Sequence, residues 1–174
     1  GVLISDLLGN GKPSIYLAND MMPGDMWTTA SGKWKNEGPS SGTAFDAQGH
    51  VQGGMGVDSA DYDNDGRLDL IVTTFFAQSK SLYHNDGGGL FTETGNRAHI
   101  GAATMPYVGF GCSFADFDND GWQDLIITNG HVRDNVHVLD ASQTYEQPVQ
   151  LFANSKGIFE NVSSTAGAIK DIKI

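Results

Sequence analysis

The chain has 174 residues, enough for one domain with a core of its own, and carries 23 glycines and only 18% charged residues. Its net charge of −11 excludes the basic face that a nucleic-acid binder needs. No apolar run is long enough for a membrane-spanning helix, and a single cysteine, Cys112, excludes a disulfide framework.

The apolar runs are short and bounded by Gly, Asn and Asp, which predicts many short strands. Three units can be laid over one another in chain order. The first runs from Gly1–Asp6 through Gly11–Leu17 to Met26, Trp27 and Ser31–Trp34. The second runs from Gly56–Asp61 through Leu70–Val72 to Leu82–Phe91. The third runs from Gly111–Asp116 through Leu125–Ile127 to Leu151–Phe159. Their leading aspartates, Asp6, Asp61 and Asp116, are spaced 55 and 55 residues apart. Equal spacing without sequence identity marks repeated structural units.

Each unit reads as four short antiparallel strands. The first carries Gly-x-x-x-Ala-Asp in the second and third units; a loop then leads into the Leu-Ile-Val strand. A third strand ends at a hairpin turn, Asn85-Asp86-Gly87 in the second unit. The fourth carries Phe91 or its equivalents Trp34 and Phe159; Trp34 and Phe91 are expected in the blade core or in blade-to-blade packing. Four strands at this period predict an all-β fold of β-propeller blades, with approximate boundaries 1–54, 55–109 and 110–167. A β-helix would need a shorter period, and a helical solenoid would show 3.6-residue periodicity. Residues 38–54, rich in Gly and Ser, are expected as a surface loop. Residues 131–148 read as an insertion in the third unit, and the tail 168–174 fits no unit.

The loops after the first strands carry the chemistry. Asp61, Asp63, Asp65 and Asp69 in one, and Asp116, Asp118, Asp120 and Asp124 in the other, place four acids within nine residues. Each like-charge pair at about 4 Å costs roughly 4 kcal/mol at an effective dielectric near 20. A hard divalent cation removes that cost, and oxygen-only ligands select Ca²⁺ over transition metals. Positions 1, 3 and 5 converge as the backbone curls, and Gly66 and Gly121 at position 6 permit the turn. Arg67 and Trp122 at position 7 would offer backbone carbonyls, so their side chains can vary; Asp69 and Asp124 complete the shell. An EF-hand would need a Glu at position 12, where Val72 and Ile127 stand inside apolar runs. A plain hairpin turn would explain Asn64, Asp65 and Gly66 but not Asp61, Asp63 and Asp69. Two bound Ca²⁺ ions would bring the net charge to −11 + 4 = −7. The first unit offers only Asp6, Leu8, Asn10 and Ser14 at these positions and is expected to turn without the ion, or to bind it very weakly.

These loops, with Phe110-Gly111 ahead of Ala115-Asp116, resemble FG-GAP or VCBS repeats, the calcium-binding propeller blades also found in integrin α chains. Tyr16–Asp20, Gly53–Val57, Leu82–Asp86, Gly109–Gly111 and Asn129–Val132 resemble bacterial propellers that often end in an ASPIC/UnbV domain, relatives of cartilage acidic protein. The resemblance implies a secreted, periplasmic or cell-surface propeller of about seven blades. Three blades do not close such a ring, so the chain is expected to be a fragment or one piece of an assembly.

The leading functional expectation is a non-enzymatic, extracytoplasmic interaction module for protein partners, adhesion or assembly, with Ca²⁺ as a structural element. The alternative is a carbohydrate-binding lectin or polysaccharide lyase, with Trp27, Trp34, Trp122 and Tyr145 as stacking platforms. A hydrolase is weakest, since no Gly-x-Ser-x-Gly and no Cys–His pair is present. His131, Asp134 and His137 could hold a transition metal but read more simply as surface polar residues. The insertion is the expected partner contact, because long loops on rigid scaffolds carry function. Cys112, in the run Phe110–Phe114, is expected to be buried and inert. Asn161-Val162-Ser163 matches a glycosylation acceptor, meaningful only in a secretory context.

Overall fold

A computed structural model describes residues 1–30 and 32–174. Its first strands are β1 (Val2–Ser5), β2 (Ser14–Leu17), β3 (Asp20–Met22), β4 (Asp25–Ala30) and β5 (Lys33–Asn36). Next come β6 (Gln52–Ala60), β7 (Asp69–Thr74), β8 (Ser81–Gly87) and β9 (Leu90–Glu93). The last are β10 (Gly109–Ala115), β11 (Asp124–Asn129), β12 (Gln150–Ser155) and β13 (Ile158–Asn161). They form three antiparallel sheets in the orders β1-β2-β4-β5, β3-β6-β7-β8-β9 and β10-β11-β12-β13. This is the expected all-β architecture of propeller blades. The three first strands β1, β6 and β10 stand side by side, and the sheets fan out from them.

The packing explains the sequence pattern. Alternate residues of a strand point to opposite faces. In β7, Leu70 and Val72 enter a core shared with Leu7, Tyr16 and Met26 of the first blade. Ile71 between them enters a second core with Phe114, Leu125 and Phe152 of the third. The middle blade is therefore buried on both faces, and its strand is a continuous apolar run. Where β6 and β10 meet, a Cβ on Gly56 would come within 2.0 Å of the Phe110 carbonyl oxygen. Only glycine fits there, and Gly1 is held to glycine in the same way by the Met55 carbonyl oxygen.

Several expectations change. The second sheet has a fifth strand, because β3 leaves the first unit and pairs with Gln52 and Gly53. Residues 38–54 are not simply a surface loop: Gly38–Ser41 form a helical turn, α1, and Ser41, Thr43 and Ala44 are buried. The β8–β9 turn falls on Gly88 and Gly89, beyond the predicted Asn85-Asp86-Gly87, because Asn85 and Gly87 are paired within the hairpin. Phe91 is core, but Trp34 is exposed, since no further blade covers its side of the first sheet. The short helices α2 (Gly101–Thr104) and α3 (Val136–Leu139) lie in the connections, α3 inside the insertion. The tail is held by pairing: Ile174 N–H donates to the Gln147 carbonyl at 3.1 Å, and Gln147 N–H returns a bond at 3.0 Å. Among the described residues, no helix is long and apolar enough to cross a membrane.

Candidate metal centres and interaction cleft

The acidic loops are shaped by their own side chains. Asp61 accepts the Asp65 and Gly66 N–H groups at 3.0 and 2.8 Å. Asp116 accepts those of Asp120 and Gly121 at 3.1 and 3.0 Å. Gly66 and Gly121 sit at φ 89° and 91°, as the curl requires. In the first blade Asp6 accepts Asn10 and Gly11 N–H in the same way, so that loop holds its turn with one carboxylate.

The position-9 aspartates come from the starts of β7 and β11 and are buried. Asp69 accepts the Tyr62 N–H at 3.2 Å from its own loop and the Asn85 N–H at 2.8 Å from β8. Asp124 repeats this with Phe117 N–H at 3.0 Å and Asn154 N–H at 2.8 Å. Burial, opposed by those two bonds and reinforced by the neighbouring Asp63 carboxylate, pushes Asp69 up to about 7. Asp63 is also raised, by burial first and by Asp65 next. Asp61, Asp63 and Asp65 bring carboxylate oxygens within 4.8 Å of one another; so do Asp116, Asp118 and Asp124. Asp120 lies beside the second group, with its Oδ1 accepting the Trp122 N–H at 2.9 Å. Arg67 offers more than a backbone: its guanidinium folds onto Asp65 and its Nε donates to the Asn85 carbonyl.

Sequence reasoning missed His84. From β8 it brings Nδ1 to 3.2 Å from Asp63 and 3.4 Å from Asp69, forming a third group with those two acids. The equivalent residue in the third blade is Ala153, one before Asn154 as His84 is one before Asn85. The buried Asp63 Oδ1 and His84 Nδ1 have no hydrogen-bond partner. Orphaned acceptors within converging carboxylates fit a divalent cation, and the donor set of both loops is the hard oxygen set that suits calcium. Asp61, Asp63, Asp65 and Asp69 would hold one ion and Asp116, Asp118, Asp120 and Asp124 the other. His131 is not a surface residue as expected: it is buried, its Nδ1 accepts the Arg133 N–H at 3.1 Å, and its ring packs 5.8 Å from Phe75. Among the described residues it forms no metal-sized group with Asp134 and His137.

At the rim away from the acidic loops, the beginnings of β6 and β10 open a cleft of about 650 Å³. Its walls are Asp20, Met21, Met55, Phe75, Gln78, Phe110 and Val132, and five of these are apolar groups from different elements meeting at one place. Asp20, Met55, Phe110 and Val132 each belong to one of the segments singled out from the sequence. Nearby, α3 leaves Val138 and Leu139 exposed, and Tyr145 is exposed in the same insertion. Cys112 is pushed up to about 12, by burial first and Asp58 second, and keeps its proton at neutral pH.

No curated protein sequence matches the chain. Two tandem matches to the FG-GAP-like repeat, over residues 6–72 and 73–127, begin at Asp6 and together cover most of it. With the repeated acidic turns and the stacked antiparallel blades, they place this chain in the FG-GAP-like repeat family.

Proposed function

We propose that the chain is a non-enzymatic, extracytoplasmic interaction module whose two acidic turns bind Ca²⁺ and stiffen one rim. The cleft and the insertion at the other rim take a protein partner, in adhesion or in assembly of a larger complex. Repeats of this family are typically extracellular protein-interaction modules. The segments lining the cleft further suggest the bacterial propellers that carry an ASPIC/UnbV domain. The observation that carries the reading is the buried aspartate at the ninth loop position, clamped by two backbone N–H groups in both loops beside the orphaned Asp63 Oδ1. The glycan-binding alternative draws on exposed Trp34 and Tyr145, since Trp27 and Trp122 are half-buried.

Extracellular sites of this kind bind Ca²⁺ at roughly 10⁻⁴–10⁻³ M. Calcium at about ten times the dissociation constant would stabilise the fold by about 1.4 kcal/mol per site, or about 4 °C in melting temperature. Thermal unfolding in calcium and in chelator is the check. Asp61→Ala and Asp116→Ala should each remove one site's share. A midpoint indifferent to calcium in the unmodified chain would sink the reading.

A further inference from the structure

The two acidic turns are alike along the chain but differ in what the third strand of their blade brings to them. β8 brings His84 to the second-blade turn, whereas β12 brings Ala153 to the third-blade turn. His84 Nδ1 stands 3.2 Å from Asp63 Oδ2 and 3.4 Å from Asp69 Oδ1. Neighbouring ligand atoms on one small cation are spaced in this way: donors roughly 2.0–2.1 Å from a metal at tetrahedral angles lie about 3.3 Å apart. Nδ1 is buried, yet neither oxygen is placed to accept a hydrogen bond from it. Asp63 Oδ1, on one of the same carboxylates, is likewise buried without a partner.

The ring is supported from its other side. Asp86 Oδ1 lies 3.5 Å and Asp65 Oδ2 3.9 Å from His84 Nε2, the atom that carries the proton when Nδ1 binds a metal. Asp86 is itself held: Thr92 Oγ1 donates to its Oδ2 at 2.6 Å, and Thr92 is the cross-strand partner of His84. Tyr62 stands edge-on to the imidazole, with ring centroids 6.4 Å apart and planes at 85°. The third blade has other residues at these places. Ala153 pairs with Glu160, and Ser155 stands where Asp86 does. The side chains of His84 and Asp63 are 17% and 24% exposed, which leaves a way in from solvent.

We propose that the second-blade centre is a mixed nitrogen and oxygen site, where His84 Nδ1 joins Asp63 and Asp69 to bind a divalent transition metal of the Zn²⁺ class. The third-blade centre, with oxygen ligands alone, stays with Ca²⁺. An imidazole ligand suits zinc and adds little for calcium, which takes oxygen donors. Asp63 and Asp69 serve either ion, so the second centre holds Ca²⁺ only where zinc is absent. The inference rests on the reading of the acidic turns as ion sites but fails separately from it, since calcium stabilises both blades whatever His84 does.

Zinc titrated calorimetrically into the full chain, in millimolar Ca²⁺, tests it. One zinc should bind tightly per chain. His84→Ala should lower that affinity at least about tenfold and leave the calcium-dependent shift in melting temperature unchanged. The variant should fold, because the third blade already carries alanine at this place. Asp86→Ala changes an exposed carboxylate outside the ligand set and should weaken zinc by about tenfold through the orientation of the ring. No zinc binding would overturn the proposal. So would zinc bound equally by the unmodified chain and His84→Ala, which would place the metal on other histidines. A chain that binds one zinc through His84 but melts alike in calcium and in chelator would uphold this inference and sink the calcium reading.

Discussion

Lys80 is fully buried, and its Nζ donates to the carbonyls of Thr74 at 2.9 Å and Tyr107 at 2.6 Å without a carboxylate beside it. Burial lowers its amine to about 7 from the usual 10.5. The unfolded chain keeps that proton until about pH 10.5, so between pH 7 and 10.5 the unfolded state binds more protons and stability rises with pH. Below pH 7 the native state carries the full cost of a buried ammonium. Melting temperatures taken from pH 7.5 to about 9.5 should climb in the unmodified chain; in Lys80→Met the climb should be absent, leaving only the decline above about pH 8.5 that the raised Cys112 thiol imposes. The variant's baseline should drop, since two carbonyls lose their donor, but the slope is the readout. Asp69, pushed up to about 7, completes most of its titration below that window. The contrast between these residues also explains what sequence reading could find. Asp61 to Asp69 announce themselves because their convergence is local, closed within nine residues. His84 and Lys80 did not, because β8 delivers one and a connection delivers the other, and no spacing along the chain encodes that approach.

At the scale of elements, the side-chain amides of Asn85 and Asn154 tie each blade to the one before it. Asn154 Nδ2 is shared between the carbonyls of Tyr62 and Gln123, and Asn85 Nδ2 between those of Leu7 and Leu68. Losing two buried hydrogen bonds and stranding their acceptors costs about 2–3 kcal/mol. Asn85→Ala and Asn154→Ala should each lower the denaturation free energy by about that amount, with additive effects in the double variant because the joints share no partner. An effect under about 0.5 kcal/mol would mean that the amides decorate the joints rather than hold them. The four-strand pattern was readable because period-2 alternation and turn residues are local signals. β3 was not, since three residues that cross to a neighbouring sheet carry no pattern of their own. Trp34 is exposed where core or blade-to-blade packing is expected, for a related reason: a strand's sequence says which residues could face a neighbour, but not whether one is there.

Across the whole molecule, charge and apolar surface are segregated. The acidic turns lie at one end of β6 and β10, and the cleft with Met55 and Phe110 lies at the other. On the proposed reading, an ion bound at the first rim would tighten the blades without touching the second and would leave the cleft free for a partner. The blades stack in one dimension, so stability is a sum of blade terms and joint terms. Only the middle blade has a joint on either side, through Leu70 and Val72 on one face of β7 and Ile71 on the other. Opening should accordingly begin at the outer sheets and travel inward. In deuterated solvent the amides of β7 and β8 should be the last to exchange, long after those of β5 and β13 have gone.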